Sequence, residues 1–291
     1  MRIVSILFAA TLLPLVLRAQ TNDLNIELMH STVRIQGPSA IPGKNAEGSV
    51  FFLNYPMSGS TNWGWNIMVT AAHVLDDIKS DAAVLYLHKV VNGSYEKLPC
   101  SITIRKEGKP LWYKHPEADI AVMIAPLMKE YVDLVHFLPA DFLADDATWE
   151  ARFIHPGDEV FCLGFPLGLE SSAAGFPILR NGRIASFPLL PTKATRTFQL
   201  DLRVFGGNSG GPVYFQFYGR RKYLDFHSPQ VDCCGILGLM IQDVSYVQTT
   251  ESYFGSSSRR DPLGIAIVVH ASLIKEAVEG LISEKQKAGH P

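Results

Sequence analysis

Three kinds of side chain in this sequence could together break an acyl bond: a serine framed by glycines, a histidine ending one apolar run, and an aspartate opening another. The serine is Ser209 in GGNSGGP, Gly206 to Pro212, set between the strand-like stretches TFQLDLRV and VYFQFY. Glycines on both sides let the backbone turn sharply, leave room for a ligand and aim amide N–H groups at one spot. A negative charge developing on a carbonyl oxygen would find donors in the backbone N–H groups of Gly207 and Ser209. Each donor of that kind is worth about 2.7–4 kcal/mol in a transition state. A tight turn with an incidental serine is the plain alternative for a bare Gly-Ser-Gly, and the extended string argues against it.

A serine hydroxyl is a weak nucleophile and needs a base that titrates near neutrality, which makes histidine the first choice. Of the nine histidines, His73 has the setting, because VTAAHVL holds it at the end of an apolar run behind small Ala71 and Ala72. His30, His88, His115, His136, His155, His227 and His290 stand in polar, turn-like or terminal contexts that suit a surface. His270 closes the apolar run GIAIVV; a strand end or helix cap is the reading preferred to a place bordering the site. The third part is a buried carboxylate that accepts a hydrogen bond from the imidazole, fixes its tautomer and stabilises its cation. Asp119 opens DIAVMIA, apolar enough to carry it inward, whereas Asp76 and Asp77 follow His73 so closely that they read as a solvated helix face.

Short strands are the elements available to position these groups. Apolar or alternating runs recur between Gly, Pro and Asn punctuation, from HSTVRIQG, GSVFFLN and WNIMVTAAHVL to DEVFCLGFP, LRNGRIASF and PLGIAIVV. That rhythm predicts an all-β sandwich or barrel pair rather than alternating helices and strands. Helix is expected in a short turn after His73, within Leu127 to Trp149, and in HASLIKEAVEGLISEKQK, where Leu273, Ile274, Ala277, Val278, Leu281 and Ile282 share one face. The polar stretch QTTESYFGSSSRRDP reads as an exposed loop.

With 47% apolar residues in 291, the chain can bury a large core. Its formal charge of -2, with both signs mixed along the chain, gives no electrostatic reason to expect nucleic acid or an anionic membrane as partner. Residues 1–19, with Arg2, an apolar stretch from Ile3 to Leu17 and the exit Arg18-Ala19, have the pattern of a cleaved secretory signal peptide, so a secreted or periplasmic location is expected with no membrane contact after cleavage. Cys100, Cys162, Cys233 and Cys234 suit an oxidising compartment and leave their pairing open; no Cys or His pair has the short repeated spacing of a metal site.

On TAAHVL around His73, ADIAVM around Asp119 and GNSGGP around Ser209, in the order His, Asp, Ser, the chain resembles the trypsin-like serine peptidases of the chymotrypsin fold. Within them it is similar to the HtrA-type branch, here without a PDZ domain. VFCLGFPLGL, GRIASF and the closing PLGIAIVVHASLIKEAVEGL extend the likeness over about residues 28 to 285. The resemblance implies two six-stranded antiparallel β-barrels, residues 20–140 and 141–291, the latter with the C-terminal helix, and a catalytic site between them. It implies acyl-enzyme hydrolysis of peptide bonds on Ser209, with His73 as base and acid and Asp119 as orienter, without metal or organic cofactor. Unfolded or extended polypeptide would add as a strand beside GLMIQ. A catalytically idle binding or chaperone-like module on the same fold is the alternative.

By the same analogy Arg203 falls near the floor of the primary specificity pocket, and Leu239 and Met240 along its wall; a basic floor would favour acidic substrates and an apolar wall aliphatic ones. Phe215 to Cys234 reads as an insertion. Asn208 stands where digestive trypsins have an aspartate, so activation by an ion pair to a newly cleaved amino terminus is not expected.

Overall fold

The computed structural model describes residues 23–57, 64–220, 231–252 and 255–287; the expected leader, His227 and His290 lie outside them. The first half is built on β1 (Val33–Pro38), β2 (Asn45–Pro56), β3 (Gly64–Thr70), β4 (Ala82–Val91) and β5 (Ser94–Thr103). Shorter strands follow: β6 (Arg105–Lys106), β7 (Lys109–Pro110), β8 (Tyr113–Lys114), β9 (Ala121–Ile124) and β10 (Leu138–Pro139). Its hydrogen-bonded path runs β5-β4-β1-β2-β3-β9-β8, with β10 added in parallel to β2 and β6 paired with β7 apart. The second half closes completely. There β11 (Glu159–Gly164), β12 (Ile178–Ile184), β13 (Thr197–Asp201), β14 (Pro212–Arg220), β15 (Val231–Ser252) and β16 (Gly255–His270) form a barrel in the order β11-β12-β13-β16-β15-β14. The mostly β architecture and the C-terminal helix follow from the strand rhythm and the terminal apolar period, and the whole is consistent with the chymotrypsin-like fold the resemblance implies. Of the two six-stranded barrels expected, the second closes, while the first half is a seven-strand hydrogen-bonded path with β10 attached.

The burial of each strand follows its composition. In β13 the apolar Phe198 and Leu200 alternate inward with exposed neighbours, as a half-buried strand requires. In β2 the unbroken run Val50–Leu53 is buried throughout, because that strand is covered on both faces. The stretch read as a polar loop is instead largely strand: β15 and β16 continue as an antiparallel ribbon in which Gln248 pairs with Arg259 and Thr249 with Ser258. Such a ribbon is held by main-chain hydrogen bonds, which do not require an apolar period. At the expected insertion, β14 runs on to Arg220 and β15 begins at Val231, residues 221–230 lying outside the described ones.

Six α-helices lie among the described residues: α1 (Leu24–Ser31), α2 (Ala72–Asp77), α3 (Lys129–Val132), α4 (Asp146–Ala151), α5 (Thr192–Thr195) and α6 (Ala271–Lys287). Helix α6 follows the second barrel, yet Leu273, Ile274, Ala277, Val278 and Leu281 bury into the core of the first half. Helix α1 precedes the first half and reaches the second, where Asn25 accepts from the Tyr214 hydroxyl at 2.7 Å and donates to Gln216 at 3.0 Å. Each half is therefore strapped by the terminal helix belonging, in sequence, to the other.

Candidate active site

His73 is placed by the abrupt change from β3 to α2. Thr70 ends the strand, Ala71 is the helix N-cap, and both Ala71 and Ala72 are fully buried, which anchors the first helical turn. Backbone N–H groups in a first turn lack intrahelical acceptors. That of His73 donates to Asp119 Oδ1 at 2.9 Å, while His73 Nδ1 lies 2.5 Å from Asp119 Oδ2. A carboxylate can only accept, so Nδ1 carries the proton and Nε2 keeps its lone pair. Asp119 thus fixes the imidazole's tautomer and the helix start at once, and buried Ile120 carries it there.

Burial alone would lower the His73 pKa; the hydrogen bond and charge of Asp119, aided by Asp77 and Asp76, outweigh it and raise the pKa above its ordinary value. Burial likewise pushes Asp119 up, but the hydrogen bond and charge of His73, its backbone N–H and the Lys114 charge together hold the carboxyl below its ordinary value. The pair is a base with its cation stabilised in advance.

Ser209 comes from the loop between β13 and β14, and its backbone is set by an alternating pattern of hydrogen bonds. The N–H groups of Asn208 and Gly210 donate to the carbonyls of Phe205 at 3.2 Å and Met240 at 2.7 Å. Those of Gly207 and Ser209 donate to no carbonyl among the described residues. The Gly206 carbonyl accepts from Leu167 N–H at 2.7 Å, and because a trans peptide is planar, the Gly207 N–H points the opposite way. Gly207 has φ +93°, and a Cβ there would lie 2.1 Å from the Phe165 carbonyl oxygen, so no other residue fits.

His73 and Ser209 line one cavity of about 180 Å³, together with Val204, Phe205, Gly206, Asn208, Met240, Ile241 and Gln242. The Ser209 hydroxyl donates to the Ile241 carbonyl at 3.3 Å rather than to His73. Hydrogen bonds of this kind are often formed only when substrate is present. Of the three pocket residues expected from sequence, Met240 lines the cavity. Leu239 does not; it is fully buried in the core of the first half. Arg203 does not line it either, its guanidinium standing 5.2 Å from the Phe205 ring centroid, on an exposed residue. Apart from His73, the cavity wall is uncharged, with Val204, Phe205, Met240 and Ile241 as its apolar part and Asn208, Ser209 and Gln242 as its polar part.

Other histidines sit elsewhere. His88 and His115, read as surface residues, are buried: His88 stacks on Phe176 with centroids 3.9 Å apart, and His115 accepts from the Glu117 N–H at 3.1 Å. His115 stands in a polar string, whereas His88 follows the apolar run AAVLYL of β4, a signal of burial that its polar neighbour Lys89 masks. His270 is fully buried at the end of β16 and takes no part in the cavity. Cys162 is a buried thiol in β11 whose pKa burial pushes up to about 12, which makes it a small hydrophobe in practice. Sequence reasoning gave no role to Ser49, Thr70, Leu167 or Ile241, which act through long-range contacts, although Thr70, Leu167 and Ile241 stand inside the strings TAAHVL, VFCLGFPLGL and GLMIQ.

The fold is chymotrypsin-like, and its cavity brings His73 and Ser209 together. A model of the trypsin-like peptidase domain matches residues 57–220, more than half of the chain and all three of His73, Asp119 and Ser209, and the chain belongs to that family. Polypeptides are accordingly its substrates. Among solved structures, the crystal structure of the protease Anisep from Arthrobacter nicotinovorans is similar at a TM-score of 0.46 and 14% identity, over 85% of this chain and 93% of that one. No curated protein sequence matches the chain significantly.

Proposed function

We propose that the chain is an exported serine endopeptidase of the HtrA-type branch, acting on unfolded or extended polypeptide. The observation that carries this reading is the meeting, in one cavity, of an Asp119-oriented His73 and Ser209 beside the two uncommitted N–H groups of the nucleophile loop. The Ser209 oxygen attacks the substrate carbonyl carbon while its proton passes to His73 Nε2, and Asp119 stabilises the resulting imidazolium. The Gly207 and Ser209 N–H groups hold the oxyanion. His73 then gives the proton to the leaving amine as the C–N bond breaks. Water, losing a proton to the same imidazole, adds to the acyl carbon; as the bond to the Ser209 oxygen breaks, the imidazolium returns that proton to Ser209. These steps use the chain's own residues, and we propose no metal or organic cofactor for them.

The uncharged cavity wall, with Val204, Phe205, Met240 and Ile241 in it, supports a medium aliphatic residue before the cleaved bond. An exported protein, secreted or periplasmic and off the membrane after loss of residues 1–19, fits the leader; no described helix is long and apolar enough to cross a membrane.

The Ser209 hydroxyl's bond to Ile241 supports the second reading, an idle binding module. An activity-based organophosphonate separates the two. Labelling at Ser209, with casein hydrolysis abolished in Ser209→Ala, is expected of the peptidase; an unlabelled wild-type protein that still binds unfolded polypeptide would leave the binding module.

A further inference from the structure

We propose that Ser49 is a positioning residue that locks the nucleophile loop against the frame carrying His73, an inference that rests on the peptidase reading above. Ser49 lies in β2, is fully buried, and directs two groups across the seam between the halves and a third to β3 of its own half. Its N–H donates to the Ser209 carbonyl at 2.8 Å. Its hydroxyl donates to the Gly207 carbonyl at 2.8 Å, an acceptor that leaves no doubt which partner supplies the proton. Its own carbonyl accepts from the Thr70 hydroxyl at 2.7 Å, three positions before His73.

Any residue but proline could supply the N–H and the C=O. The hydroxyl bond belongs to serine, and it falls where the loop most needs it. Glycine at φ +93° has wide freedom in ψ, so nothing in the local backbone dictates where the Gly207 carbonyl points. Its other donor, the Phe165 N–H, is 3.4 Å away, near the limit of a hydrogen bond.

The consequence reaches the reacting atoms through peptide planarity. Four successive carbonyls are held: Gly206 by Leu167 N–H, Gly207 by the Ser49 hydroxyl, Asn208 by Gly211 N–H, and Ser209 by Ser49 N–H. Ser49 supplies two of these four, one on either side of the plane that carries the Ser209 N–H. Because the same residue is tied to Thr70, the aim of the oxyanion donors and the placement of His73 share one anchor. Ser49 touches no reacting atom in this scheme. Its effect is felt where the transition state carries charge and the ground state does not.

The test uses the full chain as wild type, Ser49→Ala and Ser49→Gly, the second deleting the hydroxyl without adding a methyl. Four quantities are measured: kcat and KM on a fluorogenic aliphatic peptide, the inhibition constant of a peptide boronate that forms a tetrahedral adduct on serine, the Kd of the matching product peptide, and the urea midpoint. The expected result in both variants is a ten- to hundredfold fall in kcat with KM within twofold. Boronate affinity falls by the same factor, and product binding is unchanged. Wild-type kcat in either folded variant would overturn the proposal, as would equal losses for boronate and product peptide, which mark general loosening. A wild-type protein that neither cleaves the peptide nor takes the organophosphonate label would overturn the peptidase reading itself, whereas an active wild type with unaffected variants overturns only the role of Ser49.

Discussion

Asp119 is the residue on which the chemistry of the base turns, because it acts on His73 twice, through Nδ1 and through the backbone N–H. Replacing it with asparagine keeps the shape but removes the charge and lets the imidazole take the wrong tautomer. The kcat/KM of Asp119→Asn is expected to fall about 10⁴-fold. The pH dependence follows from the two shifts. His73 is an effective base only when neutral, and with its pKa raised, kcat/KM in the wild type rises through a midpoint above 6.5. The ion pair's contribution to folding has a different window. The His73 part is full below the unfolded value of 6.5 and is lost as pH climbs through the raised folded value. The Asp119 part is present above 3.8 and is lost as pH falls through the depressed one. The pair therefore stabilises the fold most between those limits, where the base is protonated, and activity appears only as that stabilisation is given up. A midpoint at or below 6.5 in a kcat/KM profile would contradict this assignment. Since Arg203 stands over Phe205 outside the cavity, Arg203→Ala is expected to alter the ratio of kcat/KM for valine against aspartate before the cleaved bond by less than twofold, and valine to be preferred in both proteins.

At the scale of elements, legibility tracked how local the governing contacts are. Helix α6 was readable because its apolar residues recur on one face, and β13 because it alternates. Ser209, His73 and Asp119 were readable because each sits in a short string whose small or apolar neighbours suit its task. Helix α1 was not readable, since LNIELMHS offers only Leu24 and Leu28 as a buried apolar pair and starts through Asp23, whose side chain caps Asn25 N–H. The strand character of β15 and β16 beyond the barrel was hidden by polar composition. Ser49 was hidden because a serine in GSVFFLN resembles any strand serine until its partners 158 and 160 positions away are in place. His270, at the junction of β16 and α6, shows the same limit and yields a measurable consequence. Its ring packs between Trp149 and Phe198 at 5.1 and 4.8 Å, and neither nitrogen has a hydrogen-bond partner among the described residues. Burial lowers its pKa to about 4, against a smaller opposing pull from Asp146. Between that value and 6.5 the unfolded chain binds more protons than the folded one, so stability falls as pH falls through this range, by about 3 kcal/mol in all for this residue. His270→Phe keeps the aromatic packing and removes the titration. Its Tm should drop less than the wild type's between pH 7 and pH 5, and parallel Tm curves would refute the account.

At the scale of the whole molecule, the question is whether two β halves behave as one body. Their sheets are separate, but the chain crosses between them wherever it could have stayed apart: α1 bonds to Tyr214 and Gln216 in β14, Ser49 in β2 holds the nucleophile loop, and α6 leaves the second barrel to fill the first core. Ile274 tests this, being fully buried in the core of the first half while belonging in sequence to the segment after the second. Truncating a buried isoleucine to alanine costs about 2–5 kcal/mol where the site cannot collapse, and less than about 1 kcal/mol on an appendage that peels away freely. If α6 is a strap, Ile274→Ala lowers the urea midpoint of the entire molecule and leaves a single transition of unchanged slope, because neither half unfolds without releasing the other. Fluorescence and far-ultraviolet circular dichroism should then report the same midpoint. Divergent midpoints in the variant, with the second barrel surviving the first, would mean that the halves are only neighbours, and that the distance between His73 and Ser209 is set by local contacts at the seam alone.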